Sequence, residues 1–241
     1  METLLSTRVD PAPSGWYFST KLKIGFSYFN RCLVNAAALL VGDFIAIVLA
    51  FELAALTRWA VMGKPIGPDW LPWLCGFWAA GALAWRLLPA WGMSPVESLR
   101  RMVGLTTIIF ACLTVVLFLT RSSLEYSRFS MLFAFMLTVP MIPFMRMLVK
   151  RFLIQQGLWG IPVAIYGGGE AGQSIIRRLR EEPGQGYYPV CVFDDDSRLE
   201  GTMVEEVPVR GKTDSIAKNV PVAILAMTKI DGERIAELME S

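Results

Sequence analysis

Three glycines and one acid carry the most specific chemical suggestion in this 241-residue chain. Gly167-x-Gly169-x-x-Gly172 follows a short apolar run, Ile161 to Tyr166, and leads into a helical pattern from Ala171 onward. Asp194 stands 22 residues beyond Gly172, at the end of a second β-type run. In a strand-turn-helix unit, Gly167 permits the tight turn, Gly169 the close approach of a ligand or backbone, and Gly172 the packing of helix on strand. The N–H groups at the start of that helix would receive a pyrophosphate, and Asp194 would hold a pair of ribose hydroxyls. Glu170 opposes an anion there, and degenerate versions of the fold keep such glycines for packing alone. Gly167, Gly169, Gly172 and Asp194 are therefore candidate nucleotide-binding residues, with a ligand-free packing turn as the other reading. The run Asp194-Asp195-Asp196 could hold a metal, but acids leaving a strand more often start a solvated turn, and no metal is assigned.

Other chemistries are excluded by composition. The chain has no histidine, which removes Ser-His-Asp and Cys-His catalysis and any His-ligated metal. Cys32, Cys75, Cys112 and Cys191 are far apart and lack a C-x-x-C, so packed thiols are expected rather than disulfides or a metal site. Residues 1–148 carry a charge of +5 and the remainder −3, giving the net +2, and neither part has the clustered basic face of a nucleic-acid binder.

The elements that must position these residues fall into two kinds. With 54% hydrophobic residues and a mean hydropathy of +0.46, the chain exceeds what a soluble domain carries. Four apolar runs account for the excess: Leu33 to Leu56, Trp70 to Leu88, Met102 to Leu119 and Phe129 to Met145. Each suffices for about 30 Å of hydrocarbon once flanks and tilt are allowed for. Ahead of them, Phe18, Leu22, Phe26 and Phe29 recur at helical spacing among Lys21, Lys23 and Arg31, either as an interfacial helix or as a basic tail. Arg8, Lys21, Lys23, Arg31, Arg100, Arg101, Arg146, Lys150 and Arg151 would flank one membrane face, against Arg58, Lys64, Arg121 and Arg128 on the other. That bias places both termini in the cytoplasm. Asp43 and Glu52 lie within the first run and face opposite ways, so they do not form one site. Asp43 needs a partner, as a hydrogen-bonded packing residue or as a contact to a neighbouring helix or lipid head. Pro140 and Pro143 should bend the fourth run.

After Arg151 the pattern turns to short β-type runs, Ile161 to Tyr166, Val190 to Phe193, Val207 to Arg210 and Val220 to Met227, with helical stretches at 171–181 and 231–240. Strand alternating with helix predicts a parallel sheet covered by helices. Pro162, Pro189, Pro208 and Pro221 each precede a valine and are expected at strand starts, where no ladder donor is lost. The expected fold is thus a four-helix transmembrane domain followed by an incomplete α/β Rossmann-like domain. The segments are 1–31 (interfacial), 32–148 (transmembrane) and 149–241 (cytoplasmic).

Taken together, the four spans, Tyr126-Ser127-Arg128-Phe129, the words G-L-W-G-I-P-V-A-I-Y-G-G-G-E-A-G, the turn Gly184-Gln185-Gly186-Tyr187, V-F-D-D-D and V-P-V-R-G resemble a known family. The chain looks like the N-terminal portion of the bacterial polyprenyl-phosphate hexose-1-phosphate transferases. The resemblance implies transfer of a sugar phosphate from a UDP-sugar to undecaprenyl phosphate at the start of O-antigen, capsule or exopolysaccharide synthesis. It also implies an inner-membrane location, a second domain that is CoA- or nucleotide-binding-like, and a capacity to form homodimers. Catalysis, with its Mg²⁺ and carboxylate nucleophile, would lie in a C-terminal domain beyond Ser241, so no catalytic residue is carried over to this chain. Membrane-bound nucleotide-sugar dehydratases and epimerases resemble the same front end, and a stand-alone membrane-anchored module is the third alternative.

Overall fold

The computed structural model describes residues 28–63, 71–119, 128–215 and 220–226. The segment 18–27 of the expected interfacial helix and the helix expected at 231–240 lie outside the described residues. The chain forms two compact units. One runs through Ile154 and takes in Leu158–Gly160; the other holds Gln155–Gly157 and the chain from Ile161 onward.

The first unit is helical: α1 (Tyr28–Met62), α2 (Leu71–Ala84), α3 (Pro95–Leu119) and α4 (Arg128–Gln155). Three of these, α1, α3 and α4, are long and apolar enough to cross a membrane; α2 is shorter. Its 14 residues rise about 21 Å. The expected span to Leu88 is cut at Ala84 because Arg86 takes a left-handed φ of 54°. There the Arg86 N–H bonds the Leu83 carbonyl and the Leu87 N–H reaches the Ala82 carbonyl, a helix-ending pair of bonds. Conversely, α3 starts seven residues before the expected Met102. Ser94 accepts the Glu97 N–H through its hydroxyl, and Pro95 occupies the first helical position, so the helix is capped upstream of its apolar run. Helix α4 runs past the expected Met145 to Gln155 and contains both Pro140 and Pro143.

Small residues bring these helices together, as they do in lipid. A Cβ at Gly42 would lie 2.8 Å from Val149 on α4, and one at Gly81 would collide with Leu105 on α3. Ala46, Ile47, Trp78, Leu105, Ile142 and their neighbours form the core, while Val41, Ile45, Leu49 and Leu56 on α1 face outward. Three contacts gather helix ends. Tyr28 at the start of α1 meets Trp91 after α2 edge to face at 5.9 Å, and Arg31 and Asn35 bond residues 158–160 after α4.

The second unit holds β1 (Ile161–Tyr166), α5 (Glu170–Glu181), β2 (Tyr187–Phe193), β3 (Met203–Val204), β4 (Val207–Gly211) and β5 (Val222–Leu225). The sheet order is β3-β4-β2-β1-β5. Strand β1 pairs in parallel with β2 and β5, and β2 with β4, while β3 and β4 form an antiparallel hairpin. The expected all-parallel sheet is therefore mixed. Only Pro221 precedes its strand; Pro162, Pro189 and Pro208 lie inside theirs. At Pro189 the register shifts, Val163 facing Pro189 and Ala164 facing Cys191, so a bulge follows the residue that cannot donate.

Alternation splits β1 between two cores. Val163 and Ile165 pack with Ile176 and Leu179 of α5, and with Val192, Val207 and Val209. Ala164 and Tyr166 cluster with Cys191 and Phe193 on the other face, where the Tyr166 and Phe193 rings stack at 5.0 Å. Acidic Glu170 in the first turn of α5 and Arg178 and Arg180 in its last turn match the helix dipole. That is a structural reason for Glu170 beside the glycines.

Candidate functional site

The described acids and glycines build three polar sites, one in the middle of the helical unit, one at the exit of α4, and one at the glycine turn. In the first, Asp43 on α1 is wholly buried and Arg146 on α4 is 3% exposed. The guanidinium forks onto the carboxylate, Nε to Oδ1 at 2.8 Å and Nη2 to Oδ2 at 2.6 Å. Its Nη1 donates to the Leu87 carbonyl at 3.0 Å, and the Trp78 indole N–H of α2 donates to Asp43 Oδ2 at 2.9 Å. Asp43 thus faces a neighbouring helix as a fully bonded packing residue, and Glu52 points outward. Sequence reasoning assigned Arg146 to the membrane boundary and ended the fourth run one residue before it. The signal lay in Asp43 itself, whose need for a partner in lipid points to a cation on another helix.

At the exit of α4, Gly157 is left-handed at φ 66° and the Leu158 N–H returns to the Leu153 carbonyl. The next three residues fold back on α1. The Asn35 amide donates to the Leu158 carbonyl at 2.9 Å and accepts the Gly160 N–H at 3.2 Å, while Arg31 donates to the Gly160 carbonyl at 3.3 Å. Between these bonds Trp159 is fully buried against Leu39 and Leu153, with the Lys150 ammonium 5.0 Å from its ring centroid. The stretch from Gly157 to Gly172 is therefore divided: Leu158–Gly160 belong to the helical unit, and the chain from Ile161 begins the sheet.

The four sequence-predicted site residues converge at the end of β1. Gly167 adopts φ 109°, which an L side chain rarely takes, and a Cβ at Gly172 would strike the Gly167 carbonyl oxygen. A Cβ at Gly169 would meet nothing. Asp194 reaches the same turn from β2, but to the backbone. Its Oδ2 accepts the Gly168 N–H at 2.5 Å and its Oδ1 the Asp196 N–H at 2.8 Å. The two following acids are also engaged. Asp195 accepts both the N–H and the hydroxyl of Thr213. Asp196 pairs with the Arg198 guanidinium at 2.8 Å, and that hydrogen bond holds its carboxyl below the usual carboxylate range. The acid run ties the end of β2 to the glycine turn and to the exit of β4. Burial pushes the neighbouring Cys191 thiol up to about 11, as a packed and unreactive thiol requires.

Apolar helices joined to an α/β sheet with a glycine turn define the class: a membrane protein with an attached α/β module. The CoA-binding domain family matches residues 81–230, more than half of the chain, and the chain belongs to that family. The match starts inside α2, so the helix end at Leu87, Arg146 and the Trp159 clamp lie within it. The chain is also 27% identical to an undecaprenyl-phosphate galactose phosphotransferase of Salmonella typhimurium, over 92 residues covering 38% of this chain and 19% of that protein. It is 31% identical to a UDP-galactose-lipid carrier transferase of Erwinia amylovora, over 88 residues covering 36% of this chain and 18% of the relative. These similarities agree with the resemblance to the sugar phosphotransferases. The matches span about a fifth of each relative's length.

Proposed function

We propose that this chain is the membrane-anchoring and domain-organising front part of a transferase that moves hexose-1-phosphate from a UDP-sugar to undecaprenyl phosphate. The similarity to the galactose phosphotransferase and the carrier transferase, in a chain that joins apolar helices to this sheet, carries the reading. Sugar-phosphate transfer is assigned to residues outside this chain, which accords with the internal bonds of Asp43, Asp194, Asp195 and Asp196. A chimera joining this chain to the remaining length of the Salmonella relative should restore UDP-galactose-dependent labelling of undecaprenyl phosphate. Membranes holding residues 1–241 alone should give none, and turnover there would sink the division of labour.

In this reading the helical unit crosses the bacterial inner membrane four times. The support is geometric: α1 begins where α4 ends, so the number of crossings between them is even and α2 must be one of them. Arg31, Arg100, Arg101, Lys150 and Arg151 belong to the helix ends gathered there, which makes that face cytoplasmic. A reporter fused after Ser241 should report cytoplasm and one near Lys64 periplasm; the reverse pattern overturns the topology.

The second unit is read as Rossmann-like, a regulatory or dimerising module. Strands β4, β2, β1 and β5 run parallel in the order of the first half of a dinucleotide fold, with the glycine turn after the first strand. With Asp194 bonded to Gly168, the turn is assigned to packing, and Asp194 could hold a ribose only by changing partners. Titration of the whole chain with CoA and with ADP should show no saturable binding. Saturable binding lost in Gly169→Val would instead give Gly167, Gly169, Gly172 and Asp194 the ligand role.

A further inference from the structure

The end of α2 is held in an unusual way. Two arginines from different helices donate to carbonyls of the turn that follows its last residue, and each is itself held by a carboxylate. Arg146 Nη1 bonds the Leu87 carbonyl while its fork rests on Asp43. Arg101 Nη1 bonds the Trp85 carbonyl at 2.9 Å while its Nε rests on Glu97 at 2.7 Å. The two pairs differ in burial, the first sealed and the second about one-third exposed.

The physical need is plain. With 14 residues, α2 falls about 9 Å short of a hydrocarbon layer about 30 Å thick. The N–H groups of residues 85–87 take the carbonyls of Gly81, Ala82 and Leu83, but a turn inside that layer has carbonyls of its own that lipid cannot satisfy. A guanidinium supplies donors in fixed directions and also suits the negative end of the helix dipole. Its charge is tolerated at that depth only beside an anion, which Asp43 and Glu97 provide.

We propose that Arg101 and Arg146 are positioning residues that set the depth of α2 in the bilayer, each bonding the turn that follows its C-terminus and each kept in place by its own carboxylate. This rests on the membrane-spanning reading above. Without its donors the turn rises toward the headgroups, where water replaces them, and carries the outward-facing Leu83 with it.

Single cysteines at Leu83, Ser94 and Val96, in a chain whose four native cysteines are replaced by serine, test this with a membrane-impermeant maleimide applied to inside-out membrane vesicles. In the otherwise native chain, positions 94 and 96 should label and position 83 should stay protected; labelling at all three would overturn both the membrane reading and the proposal. In Arg146→Gln, position 83 should label about tenfold faster or more, with Arg146→Lys intermediate because an ammonium lacks the fork. Arg101→Gln should show the same change to a smaller degree. Oxidation of a Leu39→Cys/Leu153→Cys pair in the same membranes reports whether α1 and α4 still pack. If Arg146→Gln loses that crosslink, the decision rests on Arg101→Gln. With the crosslink retained, an unchanged rate at position 83 in the arginine variants overturns the proposal while leaving the membrane reading intact.

Discussion

Arginine-carboxylate pairs occur in both units and do different work in each. In the helical unit, Arg146 and Asp43 are sealed from solvent and joined by a two-point fork, with Trp78 and the Leu87 carbonyl completing their bonds. In the sheet unit, Arg177 and Arg180 of α5 meet Glu205 and Glu206 in the open, at 2.8 and 2.6 Å. Those glutamates form the β3-β4 turn and both have left-handed φ, 47° and 61°, where glycine or asparagine is usual. Similar distances do not mean similar energies. Water screens the exposed pairs, whereas removing one member of the buried pair leaves a charge with no solvent to receive it.

The largest effect should therefore come from breaking the buried pair singly. Asp43→Leu or Arg146→Met alone should cost about 3–5 kcal/mol, read from unfolding of the whole chain in detergent. The double variant should be more stable than either single one. It should remain below the native chain because the Trp78 N–H and the Leu87 carbonyl lose a partner, at about 1–3 kcal/mol each. Additive losses in the double variant would mean that the two side chains act independently.

A middle-sized effect should appear in the sheet unit as a pH dependence. Burial raises the Cys191 thiol from 9.0 to about 11, so the neutral form is favoured on folding. A raised pKa contributes stability that is complete below pH 9.0 and is lost as pH rises through about 11. Unfolding of the native chain and Cys191→Ala, followed from pH 8 to 11, should show the variant less pH-sensitive over that window. Parallel curves would remove the buried-thiol account. The smallest effect belongs to the exposed pairs: Arg177→Ala should barely change stability, and less still in high salt. A loss as large as that of the buried pair would erase the contrast between the units.

Much of the sheet unit was legible beforehand because its signals are local. Ile161 to Tyr166 forms a strand with those boundaries, and the glycine turn sits where three glycines and a following helical pattern put it. The start of α3 is also legible, in Ser94-Pro95-x-Glu97, but its cap lies eight residues ahead of the apolar run that begins at Met102. The Asn35 clamp left no trace at the sequence level, since its partners are 123 and 125 residues away. Asp194 was placed at the right turn, yet its partner is a backbone N–H of that turn rather than a ligand hydroxyl.

By itself the sequence determined what depends on composition and short spacing: apolar helices, a β-turn-helix unit after them, and the absence of histidine chemistry. Tertiary structure decided which distant groups meet. It gave Asp43 its cation from α4, 103 residues on, and shortened α2 at Arg86. It also set the strand order β3-β4-β2-β1-β5 and kept Trp159 with the helices rather than the sheet. Periodicity records which face of an element is apolar, but it carries no information about which other element covers that face. A buried charge shows that it needs a partner, and only the packed chain shows where that partner is.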